Sequence, residues 1–496
     1  MGLVSVIPDT VGGYILALTV TGLFYLSVKT VYRLHFHPLA KFPGPKLAAA
    51  SILWYTFHWT SGEWPHQLAK AHRKYGDVVR TGPNELSFAS AESWKDIYGH
   101  TSKGRRTFLK SSFYDSNGRE PSIVSSQDPV EHSTQRKALS AAFSSKALRD
   151  QENVVHQYVD LFIERIGRLG GAATNGVNIP EAFNWLTFDI IGDLTFGESF
   201  DAVKNGKTHP WVSVIAETTF WGSIIELRKR VPLLNLIMPF LVNGELAKGY
   251  EMHNQLTKEK TEKRVQQKDT VTREDFFRTI LAKGEWNQGK MESNADLLII
   301  AGSETTATTM AGLAYFLSKH PHCMAQLQKE ISSAFSSYDE INGDATAKLP
   351  YLNGVIEEGL RMYPPVPFGL PRVSPGAIVS GHYIPAGTLV STQSWTCSRD
   401  PKYWHDPDSF LPERWIGEGF GDRKEAFNPF SLGPRACLGI NLAYMELRVI
   451  LAKMVWTYEW EMVDKNIDWV QDNKMYLLWK KPEMKMRFHP RAEIKV

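Results

Sequence analysis

A mainly α-helical body with small β-sheets, carried behind one membrane-spanning helix, is the fold class this sequence predicts. Three observations point to it. From Val11 to Val28 no residue carries a formal charge, and at about 1.5 Å per residue such a run crosses a bilayer core as a helix. Between Asp128 and Glu358 apolar residues recur at helical spacing, over Val154 to Leu169, Asn184 to Gly197, Lys248 to Lys268 and Asn294 to Lys319. Short alternating stretches punctuated by Gly and Pro flank that region. At 496 residues and 43% hydrophobic content the chain can bury a large core, and a net charge of +3 gives no reason to expect nucleic-acid binding. The cysteines, Cys323, Cys397 and Cys437, are odd in number and scattered, which is no disulfide framework.

Taken in order, the first element is the apolar run. Asp9 precedes it without any Lys or Arg, whereas Lys29, Arg33, Lys41 and Lys46 follow, so the charge bias puts the body on the cytoplasmic side. A cleaved signal or a buried helix is the competing reading. Phe42-Pro43-Gly44-Pro45 cannot continue a helix, because proline lacks the amide donor and fixes φ, and it reads as a stiff hinge. The stretch from Gly76 to Ala89 alternates around Gly-Pro-Asn and predicts a hairpin. Further strands are expected from Arg372 to Thr392 and near Met475 to Trp479. The segment Asp296 to Leu317 is apolar enough for a core helix, with Asn294 as its cap. Gly302, Thr305, Thr306, Thr308 and Thr309 weaken its middle, so a functional distortion is expected there. A Thr-rich stripe packed on another helix is the plainer alternative.

The most informative stretch is Phe430-Ser431-Leu432-Gly433-Pro434-Arg435-Ala436-Cys437-Leu438-Gly439, followed by a helical pattern. Cys437 thus precedes a helix N-terminus, where free amides favour a thiolate, as a soft metal ligand requires. Gly433 and Gly439 let backbone approach a flat ligand, and Arg435 adds a cation. No second Cys or His stands nearby at zinc spacing. Read alone, Cys437 would be taken first as an inert packed thiol.

In these residues the sequence resembles the cytochrome P-450 superfamily. The haem signature F-x-x-G-x-R-x-C-x-G is matched at Phe430, Gly433, Arg435, Cys437 and Gly439. The E-x-x-R motif is matched at Glu358 and Arg361, P-E-R-[FW] at Pro412 to Trp415, and the central-helix motif [AG]-G-x-[DE]-T-[TS] at Ala301 to Thr306. The resemblance spans essentially the whole chain and is strongest to fungal microsomal secondary-metabolite members. It implies a triangular, mostly helical fold divided into a membrane anchor (1–31), a proline-rich hinge (32–46) and a catalytic domain (47–496). It implies haem b with Cys437 as axial iron ligand, and propionates held by Arg435, Arg372, Arg136 and His132, the last where many members carry Trp. Glu304 and Thr305 are then expected to deliver protons, and Glu358, Arg361 and Arg414 to brace the loop before Cys437; without the resemblance, Glu358 and Arg361 read as a solvated helix pair. An apolar substrate is expected against Ala301, Val366, Pro367, Phe368, Gly369, Phe113 and Tyr114.

The implied activity is a monooxygenase that uses O2 and takes electrons from NADPH through a membrane-bound cytochrome P-450 reductase, with cytochrome b5 as a further partner. Its implied place is the endoplasmic reticulum membrane, single-pass and in contact with lipid, on a natural product of terpenoid or polyketide type. A haem-thiolate isomerase or dehydratase that needs no O2, and a non-catalytic membrane-anchored haem binder, are the competing functions. The intact Glu304-Thr305 pair argues against both, since neither needs proton delivery.

Overall fold

The computed structural model describes residues 10–101, 106–116, 118–236, 244–267, 275–284 and 286–491. Helices dominate, and the core is organised around one of them, Gln288–Lys319, most of whose side chains are buried. It packs against the helix Ile179–Phe196, itself buried on nearly every side. Gly302 permits the close crossing, because a Cβ there would run into Ile191.

Two expectations for the central helix need correction. Its N-cap is Asn287, whose side chain accepts from Lys290 N at 2.8 Å. Asn294 lies inside the helix, where Oδ1 accepts from Ile123 N at 3.0 Å and Nδ2 donates to Gln135 Oε1 at 3.1 Å. The first turn is polar and carries no apolar periodicity, so the sequence pattern begins later than the helix does. The helix is also unbroken through its threonines. Thr305 donates to Ala301 O at 2.6 Å and Thr309 to Thr305 O at 3.0 Å. A hydroxyl can share a carbonyl that is already in the ladder, and close packing on the neighbouring helix holds the rod together.

The remaining helices follow the predicted pattern with longer ends. They include Ser145–Leu169 and Gly244–Gln266, the expected end at Lys268 lying outside the described residues. Among the described residues the strands form four small sheets. β1 (Val78–Gly82) and β2 (Glu85–Phe88) are the predicted hairpin. β2 pairs in parallel with β8 (Leu389–Thr392), which continues through β5 (Arg372–Val373) to β3 (Leu109–Lys110). β6 (Ala377–Val379) pairs with β7 (His382–Ile384), and β10 (Lys474–Tyr476) with β11 (Leu478–Lys480). β12 (Lys485–Pro490) lies between β4 (Val177–Asn178) and β9 (Tyr458–Met462).

The N-terminal helix Val11–Val31 is capped by Thr10, continues into a wider turn at Tyr32–Phe36 and buries none of its side chains. Of the two helices among the described residues that are long and apolar enough to cross a membrane, the other is the buried central helix. After it, the chain docks: Arg80 N donates to Pro43 O at 2.7 Å and Arg80 Nη1 to Arg33 O at 2.8 Å, while Leu39 and Phe42 are buried.

Candidate active site at the Cys437 loop

The loop ahead of the helix Ile440–Thr457 closes on itself. Cys437 N donates to Phe430 O at 2.8 Å and Ala436 N to Gly433 O at 3.1 Å. Gly433 has φ +69°, and a Cβ at that position would collide with the Tyr98 carbonyl. Glycine is therefore required both by the backbone conformation and by the close approach. Gly439 caps the helix, and its amide reaches back to Cys437.

Cys437 opens into a cavity of about 890 Å³ of atom-free space, its mouth included, whereas Cys323 and Cys397 are buried. Protein surrounds the thiol on its other sides, and that burial pushes its pKa up against the opposing Gly439 amide and Arg136. A soft metal would displace that proton outright. Ala301, Gly302, Thr305 and Thr306 form the opposite wall, on the central helix, and Phe430 and Gly439 lie beside the cysteine.

One edge of the cavity is cationic. Lys110, His132, Arg136 and Arg435 line it, and Arg372 adjoins them in a neighbouring polar hollow that shares His132, Arg136 and Arg435. Their donors go to neutral acceptors: Arg435 to Ser126 O (2.7 Å) and Gln127 O (2.8 Å), Arg136 to Ala436 O (2.7 Å), Arg372 to Tyr114 Oη (3.1 Å). Lys110 donates to Val124 O at 2.5 Å and Ile123 O at 3.3 Å. The register places Lys110 directly opposite Arg372 across β3 and β5, a like-charge pair that costs stability on its own. Burial, then Arg435 and Arg372, push the Lys110 ammonium down to about 6. Burial and four neighbouring cations hold His132 neutral, down to about 3. Arg435 is lowered to about 10, chiefly by burial.

The charges behind the loop are satisfied internally. Glu358, Arg361 and Arg414 are each 0% exposed. Arg361 grips Glu358 with two bonds of 2.8 Å, and Arg414 Nε adds a third at 2.9 Å. Asp422 takes the other side of Arg414 at 2.7 Å, and Trp415 Nε1 donates to Glu358 at 3.0 Å. Arg361 also donates to the carbonyls of Ser398, Pro407 and Ser409, which pins the segment leading to Cys437.

The structure redistributes the expected proton and substrate residues. Thr305 reaches the cavity, but Glu304 is not among its described lining residues; its carboxylate is ion-paired with Lys481 at 2.9 Å, and Lys481 also donates to Thr308 at 3.0 Å. Of the expected substrate contacts only Ala301 lines the cavity. Phe368 is buried in an aromatic cluster, 5.7 Å from Trp59 and 5.8 Å from Phe113, and Gly369 N donates to Gln393. Val366 packs on the core, Pro367 O accepts from Trp395 N, and Tyr114 is held by Arg372. The wall is built instead by Ile123, Val124, Ile191, Leu297 and Leu298. The loop after the E-x-x-R helix is held by its aromatic and backbone partners beside Trp59, which motif position does not reveal.

Sequence reasoning also missed Lys110, Asp422, Lys481 and Glu446. Lys110 and Lys481 carry no local signal, since distant register and packing bring them in. Glu446 did carry one: it lies four residues after Leu442 on the apolar face of a helix, where an acid is out of pattern.

The family model for cytochrome P450 matches residues 43–488. The chain belongs to the cytochrome P450 family. It is 43% identical over 479 residues to cytochrome P450 monooxygenase BOA3 of Botryotinia fuckeliana, covering 94% of each chain. It is 41% identical to cytochrome P450 monooxygenase ORF9 of Penicillium roqueforti (95% of this chain, 93% of that one) and 39% identical to cytochrome P450 monooxygenase poxC of Penicillium oxalicum (94% and 92%). This P450 is accordingly a monooxygenase, an oxidoreductase of the haem-thiolate kind. Its residues fit haem. A lone soft ligand faces a cavity bounded by backbone and apolar side chains, and cations without carboxylate partners among the described residues gather at one edge, as a dianionic edge requires.

Proposed function

We propose that this P450 inserts one oxygen atom from O2 into an apolar natural product of terpenoid or polyketide type, in a secondary-metabolite pathway. Electrons come from NADPH through a membrane-bound P450 reductase, with cytochrome b5 as a further donor. The single anchor at residues 1–31 and the hinge at 32–46 hold the catalytic domain, 47–496, on the cytoplasmic face of the endoplasmic reticulum. The observation that carries the reading is the apolar, cation-edged cavity between Cys437 and Thr305.

Haem held by a thiolate would supply O2 activation. Cys437 provides that thiolate. Arg435, Arg372 and Arg136 would hold the propionates with Lys110, whose ammonium an anion would recharge, and His132 would complete the edge as a neutral donor. Ile123, Val124, Leu297, Leu298 and Ala301 exclude water and orient the substrate by shape. The Thr305 hydroxyl presents a proton donor at the cavity wall, and Glu304 backs it once Lys481 releases the carboxylate. Glu358, Arg361 and Arg414 keep the loop in place.

Two measurements test this. NADPH- and O2-dependent conversion of a fungal metabolite extract by microsomes holding the enzyme and a reductase is expected; conversion that persists without O2 would return the reading to an isomerase or dehydratase. Cys437→Ala should lose the red-shifted Soret band of the reduced carbonyl complex, and Cys323→Ala and Cys397→Ala should keep it.

A further inference from the structure

The first turns of the central helix are polar, and their side chains reach one short segment ahead of the helix Pro129–Ser140. Asn287 Nδ2 donates to Glu120 Oε1 at 3.2 Å, Arg119 Nη1 to Asp296 Oδ2 at 3.1 Å, and Ile123 N to Asn294 Oδ1 at 3.0 Å. Of Asn287, Asn294 and Asp296, Asn294 is the one that is fully buried, at 0% exposure. Both ends of its amide are engaged. Nδ2 donates to Lys290 O at 2.9 Å and to Gln135 Oε1 at 3.1 Å, and the buried Gln135 donates from Nε2 to Pro121 O at 2.9 Å. The orientation follows from chemistry: a backbone N–H can only donate, so the Ile123 amide faces the oxygen of Asn294.

The other side of the same segment is held by the cations of the cavity edge. Lys110 donates to the carbonyls of Ile123 and Val124, and Arg435 to those of Ser126 and Gln127. Ile123 is therefore fixed at both its N–H and its C=O. A β-branched side chain has few χ1 choices, so fixing that backbone fixes where its methyl groups point. Ile123 and Val124 both line the Cys437 cavity; among the described residues that line it, Asn294 does not appear.

We propose that Asn294 is a positioning residue that sets which substrate shapes the cavity accepts. It acts through the backbone of Ile123, by one buried hydrogen bond. Without that bond the Ile123 N–H is buried and unpaired, and the segment swings about the Lys110 and Arg435 bonds, which stay made. Haem retention and wall shape are then separable, because the cations serve both and Asn294 serves the wall. The proposal rests on the haem-thiolate monooxygenase reading, whose substrate this wall would meet.

The test uses the full-chain holoenzyme in phosphatidylcholine vesicles and two probes, imidazole and 4-phenylimidazole, whose binding is read from the Soret shift. Imidazole is too small to fill the cavity, whereas the phenyl group of the second probe must share it with the wall. Asn294→Leu, close in volume, should keep haem content and imidazole affinity within about twofold while shifting 4-phenylimidazole affinity by about tenfold or more, as for a displaced pocket wall. A merely structural amide would lower the yield and leave the ratio of the two affinities alone. Ile123→Ala should shift the same ratio in the wild type and add less than about twofold in Asn294→Leu, since both act through one wall. In the wild type the Ile123 amide should exchange with deuterium at least about a hundredfold slower than an open amide, a measurement that covers the case in which Asn294→Leu does not accumulate. Free exchange of that amide, an unchanged ratio in Asn294→Leu, or fully additive effects in the double variant overturns the proposal. The carbonyl-complex spectrum separates the two failures. With the thiolate-type Soret band present, a negative result counts against Asn294 alone; a wild type lacking that band takes down the haem-thiolate reading, while the exchange result still reports on the tie.

Discussion

Two clusters of buried charge lie on either side of the Cys437 loop, and they are built on opposite rules. Around Glu358 the charges close on one another: Arg361 and Arg414 face Glu358 and Asp422, and the leftover donors go to carbonyls of the 398–409 segment. At the cavity edge Lys110, Arg136, Arg372 and Arg435 crowd together and none of them forms an ion pair with a described carboxylate, while Lys110 faces Arg372 across a strand pair. The first cluster is complete when the chain is folded. The second carries an excess of positive charge that an anion would offset. Closure within the fold marks scaffold, and a shared excess of one sign against a cavity marks a binding edge.

The largest expected effect breaks the closed cluster. Arg361→Ala leaves Glu358 buried and short of two bonds, a loss of about 3–5 kcal/mol, so the protein should fail to accumulate with haem. Normal haem content in that variant, measured by the carbonyl-complex absorbance, would erase the distinction between the clusters.

A smaller effect is expected at the open edge. Lys110→Met removes a cation that has no acid partner, so folding should persist while haem dissociates about tenfold faster, ~1.4 kcal/mol. Lys110→Arg should restore retention, and transfer of haem to apomyoglobin measures all three proteins. Unchanged transfer in Lys110→Met would remove Lys110 from the edge.

The same residue sets a pH dependence. Its ammonium is pushed down to about 6 from an ordinary 10.5, and a propionate would raise it again. Haem uptake therefore binds a proton at Lys110 between those values, so affinity should fall as pH rises through that window and level off below about 6. Lys110→Met should flatten the slope, which haem titration from pH 6 to 9 would measure.

The smallest change in turnover is expected for Lys481→Met, which unties Glu304 without touching the cavity wall. The variant also leaves a buried carboxylate without its cation and should lose stability, while the folded fraction keeps wild-type haem content and its turnover shifts by about two- to threefold. A wild-type turnover rate with unchanged solvent isotope effect would make the Lys481 pair purely structural.

The motif-bearing segments were legible because their chemistry is local. Phe430 to Gly439 carries its own turn and helix start, and Glu358 and Arg361 share one helix face by spacing alone. The N-terminal apolar helix, the hairpin and the long helices likewise follow from runs and periods within a few residues. The lining of the Cys437 cavity was not legible, because it depends on which way a loop leans; Phe368 packs on Trp59, and Ile123 and Leu297 line the cavity.

By itself, then, the sequence determined the helical body, the N-terminal apolar helix, the ligating loop and the E-x-x-R brace, since each is written in contiguous residues whose geometry follows from backbone periodicity. Only the tertiary structure decided which charges are paired. Lys110 meets Arg372 through a strand register between residues 262 positions apart in the chain. Lys481 reaches Glu304 from beyond the last small hairpin, and Glu446 is made neutral by helices that exclude water from it. Charge state and cavity shape depend on every neighbour at once, and the neighbours come from the fold.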